Sequence, residues 1–372
     1  VNERRVPLSQ FAFSLAVLSK ETAIITPLAI GVWELLAARW AQDENEKESP
    51  RPLKALLSRA ALYLIPALPL LAWLAYHHHA TGRFFGAPDF YQYNVTRAIT
   101  PLRFLLAFGL RVWHLFGTMN MLPLTAAMTV AMFFPPVTDE HGPRRRIAIP
   151  VQIQFGMVML AHLLAFSLLG GALLTRYLLP AYPLLIILAM STLRRRIMSW
   201  QWPASVMIIF FVLALFFDPP YRFAPEDNLT YRDYVELHVA AAHFLEQHER
   251  DAAILTAWPA SDELTKPYLG YVTRPFPIVP VRDFTITEVL KARSMRSRYQ
   301  VAYLFSTKYE AATWFNSAIW DRLNERFFDY HRDLSPQAAA DLLGGRVVYL
   351  ARRKAEWVEI IEMEQPGSVA AK

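Results

Sequence analysis

Two apolar runs of the sequence meet at the stretch Thr175-Arg176-Tyr177-Leu178-Leu179-Pro180-Ala181-Tyr182-Pro183. The run before it, residues 151–169, has the length of a membrane helix, and the run after it continues to residue 193. A guanidinium group stays charged at physiological pH, so Arg176 needs an anion, a carbonyl group or water at such a junction. Two interpretations are open. Arg176 belongs to a functional site, or it reaches the lipid headgroups while the tyrosines form an aromatic belt.

Composition divides the chain into an apolar first part and a more polar second part. Hydrophobic residues make up 54% of the 372 residues, yet the mean hydropathy is only +0.20. Long apolar runs continue to about Phe217 and then stop. The sequence therefore predicts a multi-pass α-helical membrane domain at residues 1–218, with about six to seven helices, and a soluble α/β domain at residues 219–372.

Cysteine and charge usage exclude several functional classes. The chain has no cysteine, which rules out disulfides and zinc–thiolate sites. The net charge is +6, but the arginines cluster in short loops between apolar runs, so we expect no nucleic-acid partner. The sequence begins at Val1 without a signal-peptide pattern, and we expect it to be an N-terminally truncated part of a longer membrane protein.

The distribution of Lys and Arg predicts the orientation of the chain. Three loops, 41–54, 137–147 and 193–202, hold three such residues each, whereas the intervening loops 77–100 and 170–177 hold three together. The positive-inside rule places the first three loops in the cytoplasm and the other two outside. The Arg176 stretch, Lys20-Glu21 and the C-terminal domain then share the outer face of the membrane.

One apolar run carries charge. Arg103, Arg111 and His114 lie within about 80° of arc at helical spacing in residues 101–116. This pattern predicts an amphipathic helix in the membrane interface or a short partial span.

Short strand patterns alternate with helical patterns beyond Tyr221. The predicted strands are 252–257, 277–281, 301–305, 346–351 and 357–363, and the predicted helices are 231–248, 262–269, 285–293, 309–327 and 336–343. This alternation predicts a mainly parallel sheet. No GxGxxG or Walker-type loop follows a strand, so nucleotide binding is not expected. In the first of these helices, His238, His243 and His248 are five residues apart and are predicted to lie on the surface.

Several residues on the predicted outer side are candidates for binding. At the first helix junction, Lys20 would face an anionic headgroup with Glu21 orienting it; a structural ion pair is the alternative. The loop at residues 81–94 is rich in aromatic residues, whose faces suit sugar rings, and its arginine suits a phosphate. We therefore predict substrate contacts at Arg83, Asp89, Tyr91 and Tyr93.

A metal ion is a further candidate ligand on the outer side. His79, at the end of a membrane helix, and Asp89 are weak candidates to hold a divalent ion or a phosphate. Three consecutive histidines cannot all point one way from a helix, so a polar helix end at the interface is the simpler interpretation of residues 77–79.

Two motifs together resemble those of a known family. The stretch Leu18-Ser19-Lys20-Glu21-Thr22-Ala23, followed by Pro27, resembles the "L-S-K-E-T-A…P" segment of protein O-mannosyltransferase-like membrane glycosyltransferases, the glycosyltransferase family 39-like group. The stretch Thr175 to Pro183 resembles their "R-Y-L-L-P-x-x-P" segment. The resemblance covers about residues 8–217 and implies a GT-C architecture in the bacterial inner membrane, with the C-terminal domain periplasmic.

The resemblance implies transfer of a sugar from a polyprenyl-phosphate carrier to an acceptor outside the cytoplasm. Arg176 and Tyr177 would hold the lipid phosphate, with Lys20 and Glu21 beside it. The family's catalytic carboxylate lies in an N-terminal outer loop that has no counterpart in this sequence, and a divalent metal is an open requirement. The partners would be the lipid-linked donor, membrane lipids and an unidentified acceptor. A non-catalytic transporter or assembly subunit with an outer partner-binding domain is the alternative.

Overall fold

The structure is a computed structural model that describes residues 6–44, 53–84, 100–140, 142–169, 173–309, 318–328 and 330–363. Within these ranges, the side chains of residues 38–44, 53, 55 and 56 are not described. The described part of the protein is mainly helical, and a mixed sheet lies in its C-terminal part. The chain divides into two compact units, Val1–Phe211 and Val212–Lys372.

The first unit is built from helices. Those described are α1 (Val6–Ser19), α2 (Ile25–Glu44), α3 (Leu53–Leu62), α4 (Ala67–Thr81), α5 (Pro101–Phe116), α6 (Met121–Ala131), α7 (Ile149–Leu168), α8 (Tyr182–Arg196) and α9 (Gln201–Ala214), which runs across the unit boundary. A short hairpin of β1 (Thr138–Asp139) and β2 (Gly142–Pro143) lies between α6 and α7. Apolar runs that the sequence marks as helical are thus helical in the structure.

Two helical stretches of the described chain are long and apolar enough to cross a membrane. They are Leu57–Thr81, which joins α3 and α4 through a turn, and α7. Three shorter apolar helices are α1, α6 and α9. A buried helix of a soluble protein meets the same criterion, so these stretches alone are weak support for the predicted six to seven spans.

A stripe of small and branched residues holds the first unit together. It includes Leu178, Ala181, Leu185, Ala189 and Leu193, whose spacing of three or four residues places them on one side of α8 and its preceding turn. This stripe is at most 2% exposed and belongs to a core with residues of α5, α6 and α7. The core therefore fixes the start of α8, where the Arg176 stretch lies.

Arginines close two neighbouring loops at the other end of α8. Arg196 donates from Nη1 to the carbonyl oxygens of Met132, at 3.0 Å, and of Phe134, just beyond α6. Arg144 donates from Nη1 to the carbonyl oxygens of Arg194, at 2.9 Å, and of Ile197, at 3.2 Å. The last carbonyls of a helix lack partners within the helix, so these guanidinium groups satisfy the ends of α6 and α8.

The second unit is an α/β domain around a five-stranded sheet. Its helices are α10 (Thr230–His248), α11 (Ala260–Thr265), α12 (Ile286–Ser294), α13 (Ala318–Phe328) and α14 (Pro336–Leu343). The strands are β3 (Ile254–Ala257), β4 (Ile278–Val281), β5 (Val301–Phe305), β6 (Gly345–Arg353) and β7 (Glu356–Met363), and they lie in the order β4-β3-β5-β7-β6.

The sheet is mixed, which corrects the prediction of a mainly parallel one. Strands β4, β3 and β5 are parallel, whereas β7 runs antiparallel to β5 and β6 runs antiparallel to β7. Strands β6 and β7 are joined by a tight turn, and such a hairpin must be antiparallel. The strands at the centre, β3 and β5, are buried along their whole length.

Most predicted elements of the second unit are confirmed to within a few residues. The strand predicted at 301–305 has those bounds, and the helix predicted at 231–248 begins one residue earlier. The helix predicted at 309–327 differs: Tyr309 is not helical, and α13 is described only from Ala318.

Candidate functional site

The Arg176 stretch forms a tight turn before α8. Residues Thr175–Leu178 are a 3₁₀ helix, in which positions three apart lie on the same side. Thr175 and Leu178 are accordingly buried, whereas Arg176 is exposed and Tyr177 is half-buried. Pro183 lies in the first turn of α8, where its missing N–H costs no intrahelical hydrogen bond. The backbone therefore turns Arg176 outward and Tyr177 toward the helices.

Tyr177 is held by an aromatic stack. Its ring is stacked on that of Phe166 in α7, with ring centroids 5.2 Å apart and an interplanar angle of 13°. Phe166 in turn lies 6.2 Å from the ring of His162, which is 1% exposed. The guanidinium carbon of Arg176 lies 5.9 Å from the centroid of the Tyr177 ring, within the range of a cation–π interaction. Arg176 and Tyr177 are thus in contact with each other, and their predicted role in holding a lipid phosphate stays a prediction.

Arg111 of α5 is a second cation at this turn, and the sequence did not mark it as a site residue. It is 2% exposed, and its Nη1 donates to the carbonyl oxygen of Leu174 at 2.6 Å. Its guanidinium carbon lies 5.7 Å from the Tyr177 ring and 5.8 Å from the Phe166 ring. Two guanidinium groups, one buried and one exposed, therefore lie beside the same tyrosine.

The basic face of α5 packs inside the first unit. Arg103, like Arg111, is 2% exposed, and Ala107 and Leu115 complete the buried face. In the sequence, this face of α5 is indicated by Arg103, Arg111 and His114, which lie within a small arc of the helix. That arc equally describes a helix whose basic side faces protein, so the pattern did not distinguish protein contact from lipid contact. The interfacial placement of the helix stays a prediction.

Lys20 and Glu21 lie at a different junction, between α1 and α2. Lys20 has extended backbone angles, and Glu21 begins a 3₁₀ helix that leads into α2. Both side chains are exposed. Their exposure is compatible with a headgroup contact, but the contacts described for Tyr177 are with α5 and α7, and the contact described for Arg176 is with Tyr177. The role of Lys20 and Glu21 stays a prediction.

The predicted substrate loop is described only at its start. Arg83 is exposed, and its carbonyl oxygen lies 2.7 Å from Nδ1 of His77. His79 is exposed at the end of α4. Asp89, Tyr91 and Tyr93 lie outside the described residues. Within the described ranges no group of three or more His, Asp or Glu is placed to hold a metal ion, and the metal requirement stays open.

In the second unit His238 is buried, which corrects its predicted surface position. It is 1% exposed, and its Nδ1 lies 2.7 Å from Oε2 of Glu263 in α11. Its ring lies 4.7 Å from that of Phe305 in β5. At 100° per residue His238 adjoins the apolar stripe of α10 that contains Leu237 and Ala241, so the five-residue histidine spacing was misleading. His243 and His248 are exposed, as predicted.

Two carboxyl groups of β7 are also buried. Glu359 is 0% exposed, and neither of its oxygens has a hydrogen-bond partner among the described residues. Burial raises the pKa of Glu359 to about 8, although Arg352 opposes the shift. Burial, followed by the charge of Asp233, raises the pKa of Glu356 to about 7. Since neither group is open to solvent, we relate them to stability rather than to a site.

The geometry places the candidate site at the turn before α8 in the first unit. It offers an exposed guanidinium, a fixed tyrosine ring and a buried guanidinium behind it, which together favour an anion. A comparison with models of protein families gave no match, and comparisons with curated proteins and with solved structures gave none either. The case for a function therefore rests on this geometry and on the sequence motifs.

Proposed function

We propose that the protein is a membrane glycosyltransferase that binds a polyprenyl-phosphate-linked sugar donor at the turn 175–178. The observation that carries the proposal is the pair of guanidinium groups, of Arg176 and Arg111, within 6 Å of the Tyr177 ring. A phosphate at this turn would meet an exposed charged donor whose neighbours are already fixed. Such preorganisation lowers the cost of holding an anion.

The proposed chemistry explains why an arginine suits this position. In sugar transfer the bond between the anomeric carbon and the phosphate oxygen breaks, and the acceptor oxygen forms a bond to that carbon while losing its proton to a base. The lipid phosphate departs with the bonding electrons, so negative charge grows on its oxygen. Arg176 would stabilise that charge without exchanging a proton, because a guanidinium stays protonated. The base would come from residues other than these.

The proposal includes the membrane arrangement of the GT-C type, with the turn 175–178 and the second unit outside the cytoplasm. The chain has no cysteine, so single cysteines report their side of the membrane without background. We expect Leu179→Cys, an exposed position three residues after Arg176, to react in intact cells with a membrane-impermeant maleimide. Arg145→Cys, exposed in the loop before α7, should react only after permeabilisation. Reversed labelling would overturn the arrangement.

Binding of undecaprenyl phosphate to the protein in nanodiscs tests the site. Undecaprenol has the same tail without the phosphate, and we expect it to bind at least about tenfold more weakly, since a charge-assisted hydrogen bond contributes about 1.5–3 kcal/mol. Arg176→Ala should reduce the affinity for undecaprenyl phosphate by about 10- to 100-fold and leave undecaprenol binding unchanged.

Arg194→Ala is the matched control, because Arg194 is an exposed arginine at the opposite end of α8. It should bind undecaprenyl phosphate like the wild-type protein. Equal binding of the phosphate and the alcohol by the wild-type protein would contradict a donor site here and would favour the non-catalytic alternative.

A further inference from the structure

We infer that Arg111 is a positioning residue, which fixes the turn 174–178 so that Arg176 and Tyr177 are presented in one conformation. Arg111 is buried, so it cannot itself reach a ligand in the solvent or the headgroup layer. The contacts that the structure describes for its guanidinium include the carbonyl oxygen of Leu174 and the rings of Tyr177 and Phe166. The effect of Arg111 on a lipid phosphate rests on the proposed function, whereas its effect on the turn does not.

The first step is the backbone contact. Leu174 precedes the 3₁₀ helix in an extended conformation, and its carbonyl oxygen accepts the 2.6 Å hydrogen bond from Nη1 of Arg111. This bond crosses from α5 to a residue 63 positions later in the chain. This hydrogen bond is partly buried and charge-assisted, and such a bond to a carbonyl is stronger than a neutral one, so it restrains the entry of the chain into the turn.

The second step is the side-chain contact. The same guanidinium lies near the rings of Tyr177 and Phe166, which are themselves stacked. Arg111 therefore holds residue 174 through the backbone and residue 177 through the ring, on both sides of Arg176. A lysine at position 111 would keep the charge, but its single ammonium group lacks the planar fork that serves both contacts.

The third step is a control that separates the effect of Arg111 on the turn from a general loss of stability. Arg196 also binds backbone carbonyls through Nη1, but at the C-terminal end of α8. With 15 residues in α8, that end lies about 21 Å from the start of the helix. Arg196→Met thus removes the same type of interaction from the same unit without touching the turn, and it serves as the matched control.

Hydrogen–deuterium exchange of the protein in nanodiscs tests the inference directly. In Arg111→Met we expect amide exchange in residues 174–179 to accelerate by about tenfold, which corresponds to about 1.4 kcal/mol and is close to the net contribution of a hydrogen bond to a charged group. Arg196→Met should leave exchange at 174–179 unchanged and accelerate it near residues 132–134. Arg111→Lys should give an intermediate rate. Exchange at 174–179 that is the same in Arg111→Met and the wild-type protein would overturn the inference.

Binding of undecaprenyl phosphate gives the second readout. Arg111→Met should weaken it by about tenfold although Arg176 is present, and added methylguanidinium should restore part of the affinity in Arg111→Ala by filling the vacated site. If Arg111→Met does not fold, Arg111→Lys still decides, since loss of affinity without faster exchange at 174–179 contradicts positioning. If the wild-type protein does not bind undecaprenyl phosphate, the proposed function fails, while the exchange data still test Arg111.

Discussion

The phenol of Tyr182 donates a hydrogen bond to the carbonyl oxygen of His114, 3.0 Å away, and so ties the start of α8 to the end of α5. The carbonyl belongs to the last turn of α5, where helical partners are missing. This bond and the Arg111–Leu174 bond attach both ends of the segment 174–182 to α5. The turn that carries Arg176 lies between them in the chain.

Removing the phenol oxygen tests this second tie. We expect Tyr182→Phe to lower the free energy of unfolding by about 1 kcal/mol, since it deletes one hydrogen bond and keeps the ring. Thermal unfolding in detergent measures the change. Tyr76→Phe is the control, because Tyr76 is 63% exposed on α4. Equal melting temperatures of wild-type protein and Tyr182→Phe would show that the bond contributes nothing.

The buried pair of His238 and Glu263 gives a prediction for the second unit. We expect His238→Ala to destabilise this unit by about 3–5 kcal/mol, because it leaves a buried carboxyl group without its partner. The double variant His238→Leu/Glu263→Leu should be less destabilised than the sum of the single variants. Denaturant-induced unfolding, followed by hydrogen–deuterium exchange at the amides of β3 and β5, measures the free energies of unfolding for this double-mutant cycle.

His243→Ala is the control for that cycle, since His243 is exposed on the same helix. It should change the free energy of unfolding by no more than about 0.5 kcal/mol. Additive effects of the two Leu substitutions would argue against coupling between His238 and Glu263.

Glu359 predicts a loss of stability as the pH rises. Its pKa is about 8 in the folded state and 4.5 as the reference value, so the folded state keeps a proton that the unfolded state releases. The free energy of unfolding should therefore fall between about pH 4.5 and pH 8 and change little from this group outside that range. Glu359→Gln should remove this dependence.

Exchange at the amides of β7 measures this effect. Comparing wild-type protein and Glu359→Gln at each pH cancels the intrinsic pH dependence of exchange, which is the same in both. We expect the ratio of their exchange rates to grow toward pH 8. A ratio that is constant from pH 5 to pH 8 would contradict a raised pKa at Glu359.

The hydrogen bonds of Asp218 predict the residue at which a fragment must start if the second unit is to fold alone. Its carboxylate accepts hydrogen bonds from Asn228 at 3.0 Å, from Thr230 at 2.8 Å and from Tyr309, and it lies 3.3 Å from Nζ of Lys354. We expect residues 218–372, expressed alone, to give a soluble domain with mixed helix and strand circular dichroism. A fragment that starts at residue 225 should be less stable by about 1–3 kcal/mol, because Asn228 and Thr230 lose their acceptor. Equal stability of the two fragments would refute this boundary.

Local sequence predicts the position of a strand or helix better than it predicts which strand pairs with it and in which direction. The run Val301 to Phe305 is apolar and β-branched at one end, so its strand is evident. The direction of β7 beside it depends on the hairpin with β6 and on long-range pairing. Alternation of strands and helices does not encode such a pairing, and for this reason the sheet was predicted as mainly parallel.

The residues of the candidate site also differ in whether local sequence identifies them. Arg176 and Tyr177 belong to a motif, so the sequence identifies them together. Arg111 lies 63 residues before Leu174, and nothing local in α5 shows that its guanidinium meets a carbonyl of a distant turn. His238 is similar, since its partner Glu263 lies 25 residues later. Groups whose role depends on long-range contacts become visible only in three dimensions.

The hydrogen bonds of Arg144 and Arg196 limit which amino acids the chain can accept at these two positions. Counting positive charges treats all arginines of the two loops as equivalent, yet these two donate to carbonyls of neighbouring helix ends, whereas Arg145 and Arg194 are exposed. Lysine preserves the charge, but its ammonium group lies on an unbranched stem and lacks the planar guanidinium that places Nη1 between the two carbonyl oxygens. Saturation mutagenesis scored by folded yield should therefore accept Lys at 145 and 194 and reject it at 144 and 196. At those two positions, charge alone is an insufficient requirement.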